Sequence, residues 1–140
     1  MAEKHPQDAF IGLTKSLSFE WLFLQRVVPD CREKFIPLEE ALVEKFMPRL
    51  FGVEVTLDDR QLFELPVRNA RWGISNPTST AEVVHKTSVQ CTKLLMNSIC
   101  SKGMFEIGAR LDCVNTARKV SRKEQQAQQS ERFKVLVGRM

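Results

Sequence analysis

A chain of 140 residues with 43% hydrophobic side chains fits one domain, and a domain of that size buries about 68–70% of the surface its unfolded chain exposes. No apolar run approaches the ~18 residues of a membrane span, and Met1 to Pro6 contain no apolar signal core, so a soluble intracellular protein is expected, cytoplasm and nucleus not being distinguished. The net charge of +4 is unevenly placed: residues 1–102 hold 13 Lys/Arg and 13 Asp/Glu, residues 103–140 hold 8 and 4, so any attraction to a polyanion is expected at the C-terminal end.

From Asp8 to Val28 the apolar residues Phe10, Leu13, Leu17, Trp21, Leu24 and Val28 recur at spacings of 3, 4, 4, 3 and 4, which is one face of a helix. Phe19, Leu22, Phe23 and Val27 widen that face to most of the circumference near its end, so this helix is expected to be central and buried. Pro29 stops it, because the residue before a proline is pushed out of the helical region. A second helix is announced by Pro37 at its first position, with Glu39 and Glu40 near the positive end of the dipole. Leu38, Leu42 and Phe46 give its buried stripe; Pro48 is expected to break or kink it, and Gly52 to supply a left-handed stop.

Thr56-Leu57-Asp58-Asp59 has the form of a capping box and opens a short helix through Leu62 and Phe63, closed by Pro66. Residues 67–78, with Asn69, Gly73, Asn76 and Pro77, read as an ordered loop. Ser79-Thr80-Ala81-Glu82 is a second capping box, starting a helix to about Ser101 with Ala81, Val84, Ser88, Cys91 and Leu95 inward and Gly103 ending it. One more helix can run from about Ala109 to Val137. Its centre, Arg118 to Gln129, is polar, and Val135-Leu136-Val137 is an isolated apolar patch. No useful strand alternation appears. The expected fold is all-α: a single irregular domain of about four helices in residues 1–102, then a basic, Gln-rich C-terminal helix or tail in residues 103–140.

Chemistry has little to work with. Cys31, Cys91, Cys100 and Cys113 form no C-x-x-C pair, and His5 and His85 are not spaced as metal ligands, so reduced, partly buried thiols and no metal or other cofactor are expected. The absence of Tyr removes any Tyr-x-Asp-Asp polymerase motif. Asp58-Asp59 has the composition of a two-metal carboxylate pair, but Thr56 and Leu57 precede it and a helix follows, which makes the two acids first-turn residues. No nucleophile elbow, phosphate-cradling glycine loop or H-E-x-x-H is present. No catalytic residue is expected.

Three blocks, in order, carry a resemblance. Trp21-Leu22-Phe23-Leu24-Gln25-Arg26-Val27-Val28-Pro29 resembles an aromatic helix ending in Arg-x-x-Pro. Pro37-Leu38-Glu39-Glu40-Ala41-Leu42 resembles a "PLEEAI" helix start, and residues 65–77, with Leu65, Pro66, Gly73 and Pro77, an "LPxRxGGLGIxNP" block. All three occur after the polymerase palm in reverse-transcriptase-bearing retroelement polyproteins, and the resemblance covers roughly residues 5 to 95. It implies a parent that copies RNA into DNA with Mg²⁺, and a chain that is a non-catalytic helical fragment of it, with the polymerase portion as a partner. Only structural roles carry over, to Trp21, Arg26, Pro29, Pro37, Leu38, Glu39, Leu65, Pro66, Gly73 and Pro77; none of the family's catalytic residues has a matching position. The chain departs from the pattern where relatives have paired glycines: Ala70-Arg71 stands there, followed by Trp72 in place of an aliphatic residue.

Two groups are candidates for non-specific RNA or DNA contact. Arg68 and Arg71 beside Trp72 combine guanidiniums for phosphates with an indole for stacking; the alternative packs Trp72 under the loop and leaves the arginines solvated. Arg118, Lys119, Arg122 and Lys123 recur at helical spacing as one basic patch, suited to salt-dependent phosphate contact or simply solvated. A second class of function stays open beside these: a stand-alone helical module whose first helix docks on a partner protein.

Overall fold

Residues 6–27 form one helical rod in three parts: α1 (Pro6–Gly12), a π-helical turn (Leu13–Leu17) and α2 (Ser18–Val27). The computed structural model of the protein describes residues 2–67 and 72–139, the side chain of Arg139 excepted. Two hydroxyls bond back along the rod at the wide turn. Thr14 Oγ1 donates to the Phe10 carbonyl at 2.8 Å and Ser18 Oγ to the Thr14 carbonyl at 3.0 Å, and such back-bonding of hydroxyls onto i−4 carbonyls often bends a helix. Ser18 N–H then reaches back to the Leu13 carbonyl, five residues away.

One extra residue in that turn rotates everything after it by about 100°. The expected stripe therefore slips by one position: Leu17 and Leu24 are exposed, while Ser18 is half-buried and Gln25 fully buried. Leu13 and Trp21 keep their places in the core. Phe19, Phe23 and Val27 lie on the open side with Leu17 and Leu24. This corrects the expectation of a helix buried on nearly every side. The rod ends as expected, with Val28 extended (φ −100°, ψ 117°) before Pro29.

A 3-10 turn (Arg32–Phe35) leads directly into α3 (Ile36–Ala41), a second π turn (Leu42–Phe46) and α4 (Met47–Phe51). Pro37 thus sits just inside α3 rather than opening the helical path. Pro48 does not break the helix, because the π turn before it links Met47 N–H to the Leu42 carbonyl and so widens the ladder where a proline ring would strike the carbonyl four residues back. The slip recurs here: Met47, beyond the Leu38–Leu42–Phe46 stripe, is the completely buried residue. Gly52 closes α4 in the left-handed region at φ 73°, as the sequence predicts.

The capping box at Thr56 opens α5 (Leu57–Glu64). The next helix, α6 (Pro77–Ser101), starts before the expected Ser79 box. Asn76 Oδ1 accepts from Thr78 N–H at 2.9 Å and Ser79 N–H at 3.2 Å, and Pro77 at the first position forfeits no helical bond. Ser79 Oγ turns instead to Glu64 Oε1 at 2.7 Å. At the other end the left-handed residue is Lys102 (φ 51°), with Gly103 N–H on the Ser98 carbonyl.

The C-terminal residues form α7 (Ile107–Arg139), 33 residues long and packed along α6. Thr87 Oγ1 meets Ser121 Oγ at 3.0 Å and Cys113 Sγ meets the Gln90 carbonyl at 3.7 Å. Near its end Leu136 is buried and Arg132 reaches Glu64 at 3.3 Å. No strand occurs among the described residues, and the fold is all-α. The core gathers Leu13, Trp21, Cys31, Phe35, Leu42, Met47, Ile74 and Ala81, where α2 and α3 pack on α6. Among the described residues, no helix is long and apolar enough to cross a membrane.

Trp21 is 7% exposed, and its indole N–H has no hydrogen-bond partner among the described residues. Trp21→Ala is expected to cost about 3–5 kcal/mol in urea unfolding. Trp21→Phe should lose clearly less, since it keeps a ring and removes the buried unpartnered donor.

Candidate functional site

The three sequence blocks meet at one place, and two buried polar side chains join them. Gln25 lies in the first block. Its Nε2 donates to the Pro77 carbonyl at 2.7 Å and its Oε1 accepts from Thr80 Oγ1 at 3.1 Å, so α2 is tied to the end of the third block and the start of α6. Arg60, 4% exposed on α5, stands between the other two. Its Nε and Nη2 grip both carboxylate oxygens of Glu39, at 2.5 and 2.8 Å. Nη1 donates to the Ile74 carbonyl at 2.8 Å and Nη2 to the Ser75 carbonyl at 3.2 Å. A guanidinium presents its donors in a planar fork, and this arrangement uses both edges of it.

Gly73 and Ile74, just before α6, are held by backbone bonds as well. Gly73 N–H donates to the Leu65 carbonyl at 2.9 Å and Ile74 N–H to the Phe63 carbonyl at 2.8 Å. Gly73 sits at φ 66°, and a Cβ there would come within 3.3 Å of a Val67 methyl, so the position favours glycine on two counts. Leu65 and Pro77 are buried and Pro66 half-buried. Arg26, Pro29 and Pro37 are exposed.

Trp72 is 46% exposed and meets Phe10 edge-on at 5.5 Å and Phe51 at 4.9 Å, with Phe51 stacked on Phe63 at 4.5 Å. The indole thus joins an aromatic cluster between α1, α4 and α5 while part of it faces solvent. Arg68 and Arg71 lie outside the described residues. Arg118, Lys119, Arg122 and Lys123 are all exposed on α7, turned away from the α6 contact that Ser121 makes. The structure does not bring that patch and Trp72 into one site.

Asp59 is committed to its helix. Thr56 Oγ1 and Thr56 N–H donate to Asp59 Oδ2 at 2.6 and 3.1 Å, and Asp59 N–H donates back to Thr56 Oγ1 at 3.2 Å. These bonds from Thr56 hold the Asp59 carboxyl below its ordinary pKa. Among the described residues no three His, Cys, Asp or Glu side chains gather as a metal site. All four cysteines are free, Cys31 buried and Cys100 exposed. No known protein family, curated protein or solved structure matches the chain.

Arg60 and Gln25 are the residues that sequence reasoning passes over, because charged and amide side chains are expected outside. Gln25 left one trace, a lone amide at the end of the apolar run Leu22-Phe23-Leu24.

Arg60→Met strands the Glu39 carboxylate and is expected to cost about 3–5 kcal/mol. With Glu39→Met added, the total loss should be smaller than the two single losses summed, because the pair is coupled; additive losses in the urea cycle would contradict the clamp. For the basic patch, replacing Arg118, Lys119, Arg122 and Lys123 together should flatten the slope of log K against log[salt] for single-stranded nucleic acid by at most about 3. Filter binding across a salt series measures it, and an unaltered slope removes α7 from any phosphate contact.

Proposed function

We propose that the chain is a non-catalytic helical module of the kind that follows the palm in retroelement reverse transcriptases, supplying packing to a polymerase rather than chemistry. The observation that supports this is that the three resembling blocks share one core, through Trp21, Leu42 and Ile74, and are fastened by two separate polar contacts, Gln25 to Pro77 and Arg60 to Glu39, Ile74 and Ser75. Gln25 and Glu39, polar side chains of the first two blocks, are used to hold the fold together. Polar groups set aside for a substrate are left open to it. The exposed cations of α7 add weak, sequence-indifferent attraction to RNA or DNA.

A second reading, docking on a protein partner, is favoured by the open side of α2, where Phe19, Phe23 and Val27 are each more than half exposed. A contiguous apolar face of this kind marks an interaction surface. The two readings are compatible, since a polymerase portion is one such partner.

Purified chain supplied with Mg²⁺, a primed RNA template and nucleotides is expected to incorporate none. Incorporation that disappears on changing Asp58 and Asp59 to Asn would overturn the non-catalytic reading. The retroelement origin is tested separately, by reading the transcript upstream for an in-frame aromatic-x-Asp-Asp hairpin. Its absence there would leave the docking reading alone.

A further inference from the structure

The strip Phe19–Phe23–Val27 follows an i, i+4, i+8 row along α2 and is 57%, 63% and 59% exposed. Leu17, Leu24 and Val28 are also exposed, on the Glu20 side of the strip and beyond that residue. The two rings leave on the order of 240 Å² open, and Val27 brings the strip to roughly 300 Å². That is within the size of patches that carry function on monomers. It is below the ~800 Å² per partner of a standard interface, so flanking residues must join any pair built on it.

Those flanks are charged with opposite sign. Glu20 and Arg26 stand three residues before and after Phe23, which at 100° per residue places them about 60° to either side of it. Both are exposed, and neither forms a salt bridge among the described residues. When two parallel helices pack about a two-fold axis, the left flank of each meets the right flank of the other, as in the flanking charge pairs of coiled coils.

We propose that the apolar strip of α2 is a self-association surface, on which a second copy of this chain seats its own α2 in parallel, with Phe23 at the centre and Glu20 of each copy paired to Arg26 of the other. The proposal rests on the docking reading of the same face and names its partner. An isologous contact needs a patch complementary to itself, and a strip with one acid flank and one basic flank satisfies that condition. The two Glu20–Arg26 pairs lie at the rim, where they set register more than affinity. The limited area makes the pair a reversible one.

Sedimentation velocity over a wide concentration series tests it, under reducing conditions because Cys100 is exposed. The mass is expected to rise from one chain towards two. Phe23→Glu should stay monomeric throughout with an unchanged circular dichroism spectrum, since Phe23 lies outside the core. Glu20→Arg should weaken the pair by about five- to thirtyfold, and Glu20→Arg with Arg26→Glu should restore it. A chain monomeric at every concentration overturns the proposal, as does a dimer indifferent to Phe23→Glu or a charge swap that fails to rescue. The docking reading fails on a different observation: a polymerase segment from the same transcript that binds the Phe23→Glu variant as well as the parent. A monomer that binds such a segment through Phe23 sinks self-association and leaves docking intact.

Discussion

A guanidinium removed from water costs several kcal/mol unless its donors find acceptors, and the arrangement of α3, α5 and the residues just before α6 depends on how Arg60 meets that requirement. Its four hydrogen bonds run from α5 to two other segments: to the carboxylate of Glu39 on α3, and to the carbonyls of Ile74 and Ser75 in the loop before α6. The three segments are well separated in sequence, so the bonds form only when α3, α5 and the loop are in register together. The apolar contacts of Leu42, Met47 and Ile74 tolerate sliding far better than a planar fork does. Arg60 therefore specifies the arrangement that the apolar core stabilises.

The two π turns matter for a related reason. Each inserts one residue into a rod that would otherwise present a regular apolar stripe, and each changes which side chain enters the core. Beyond Leu13–Leu17 the slip carries Gln25 inward and leaves Leu24 outside; beyond Leu42–Phe46 it carries Met47 inward. Gln25 is thereby placed to bond Pro77 and Thr80, which anchors the first rod to α6. The same rotation turns Phe19, Phe23 and Val27 to solvent. A buried amide and an exposed aromatic strip on α2 thus share one cause.

Much of the fold was legible in the chain because its local signals are short-range. Thr56 with Asp59, Pro29 after Val28, and Gly52 after Phe51 act within a few residues, and the all-α class rests on 3.6-residue periodicity. What was not legible depends on geometry accumulated along a helix or on partners far away in sequence. A π turn has no residue code: Leu42–Phe46 contains no hydroxyl, and the Thr87 and Thr92 hydroxyls bond back in α6 without widening it, so the periodic stripe points to Leu17 and Leu24 in place of Ser18 and Gln25. The start of α6 was misplaced because two caps competed, and Asn76-Pro77 prevailed over Ser79. The Arg60 clamp spans 21 residues to Glu39 and 14 to Ile74, separations at which no periodic pattern speaks. Of the candidate site residues, the α7 cations are exposed as their helical spacing suggested, whereas Trp72 is shared between the aromatic cluster and solvent.

The α6–α7 pair shows how a helix with little apolar stripe is nonetheless held. Its contact uses small and polar groups, Thr87 with Ser121 and Cys113 with the Gln90 backbone, and its far end is fastened by Leu136 and by Arg132 on Glu64. Hydrogen bonds of this sort contribute only about 0.5–1.5 kcal/mol each, and an exposed ion pair less. The long polar stretch between the anchors therefore adds little to core stability. What it adds is a row of cations at a fixed spacing on a rigid support. The first rod inverts that relation: its polar residue Gln25 is buried to fasten the fold, and its aromatic residues are left outside. Both helices devote one face to structure and leave the other, basic on α7 and apolar on α2, open for contact.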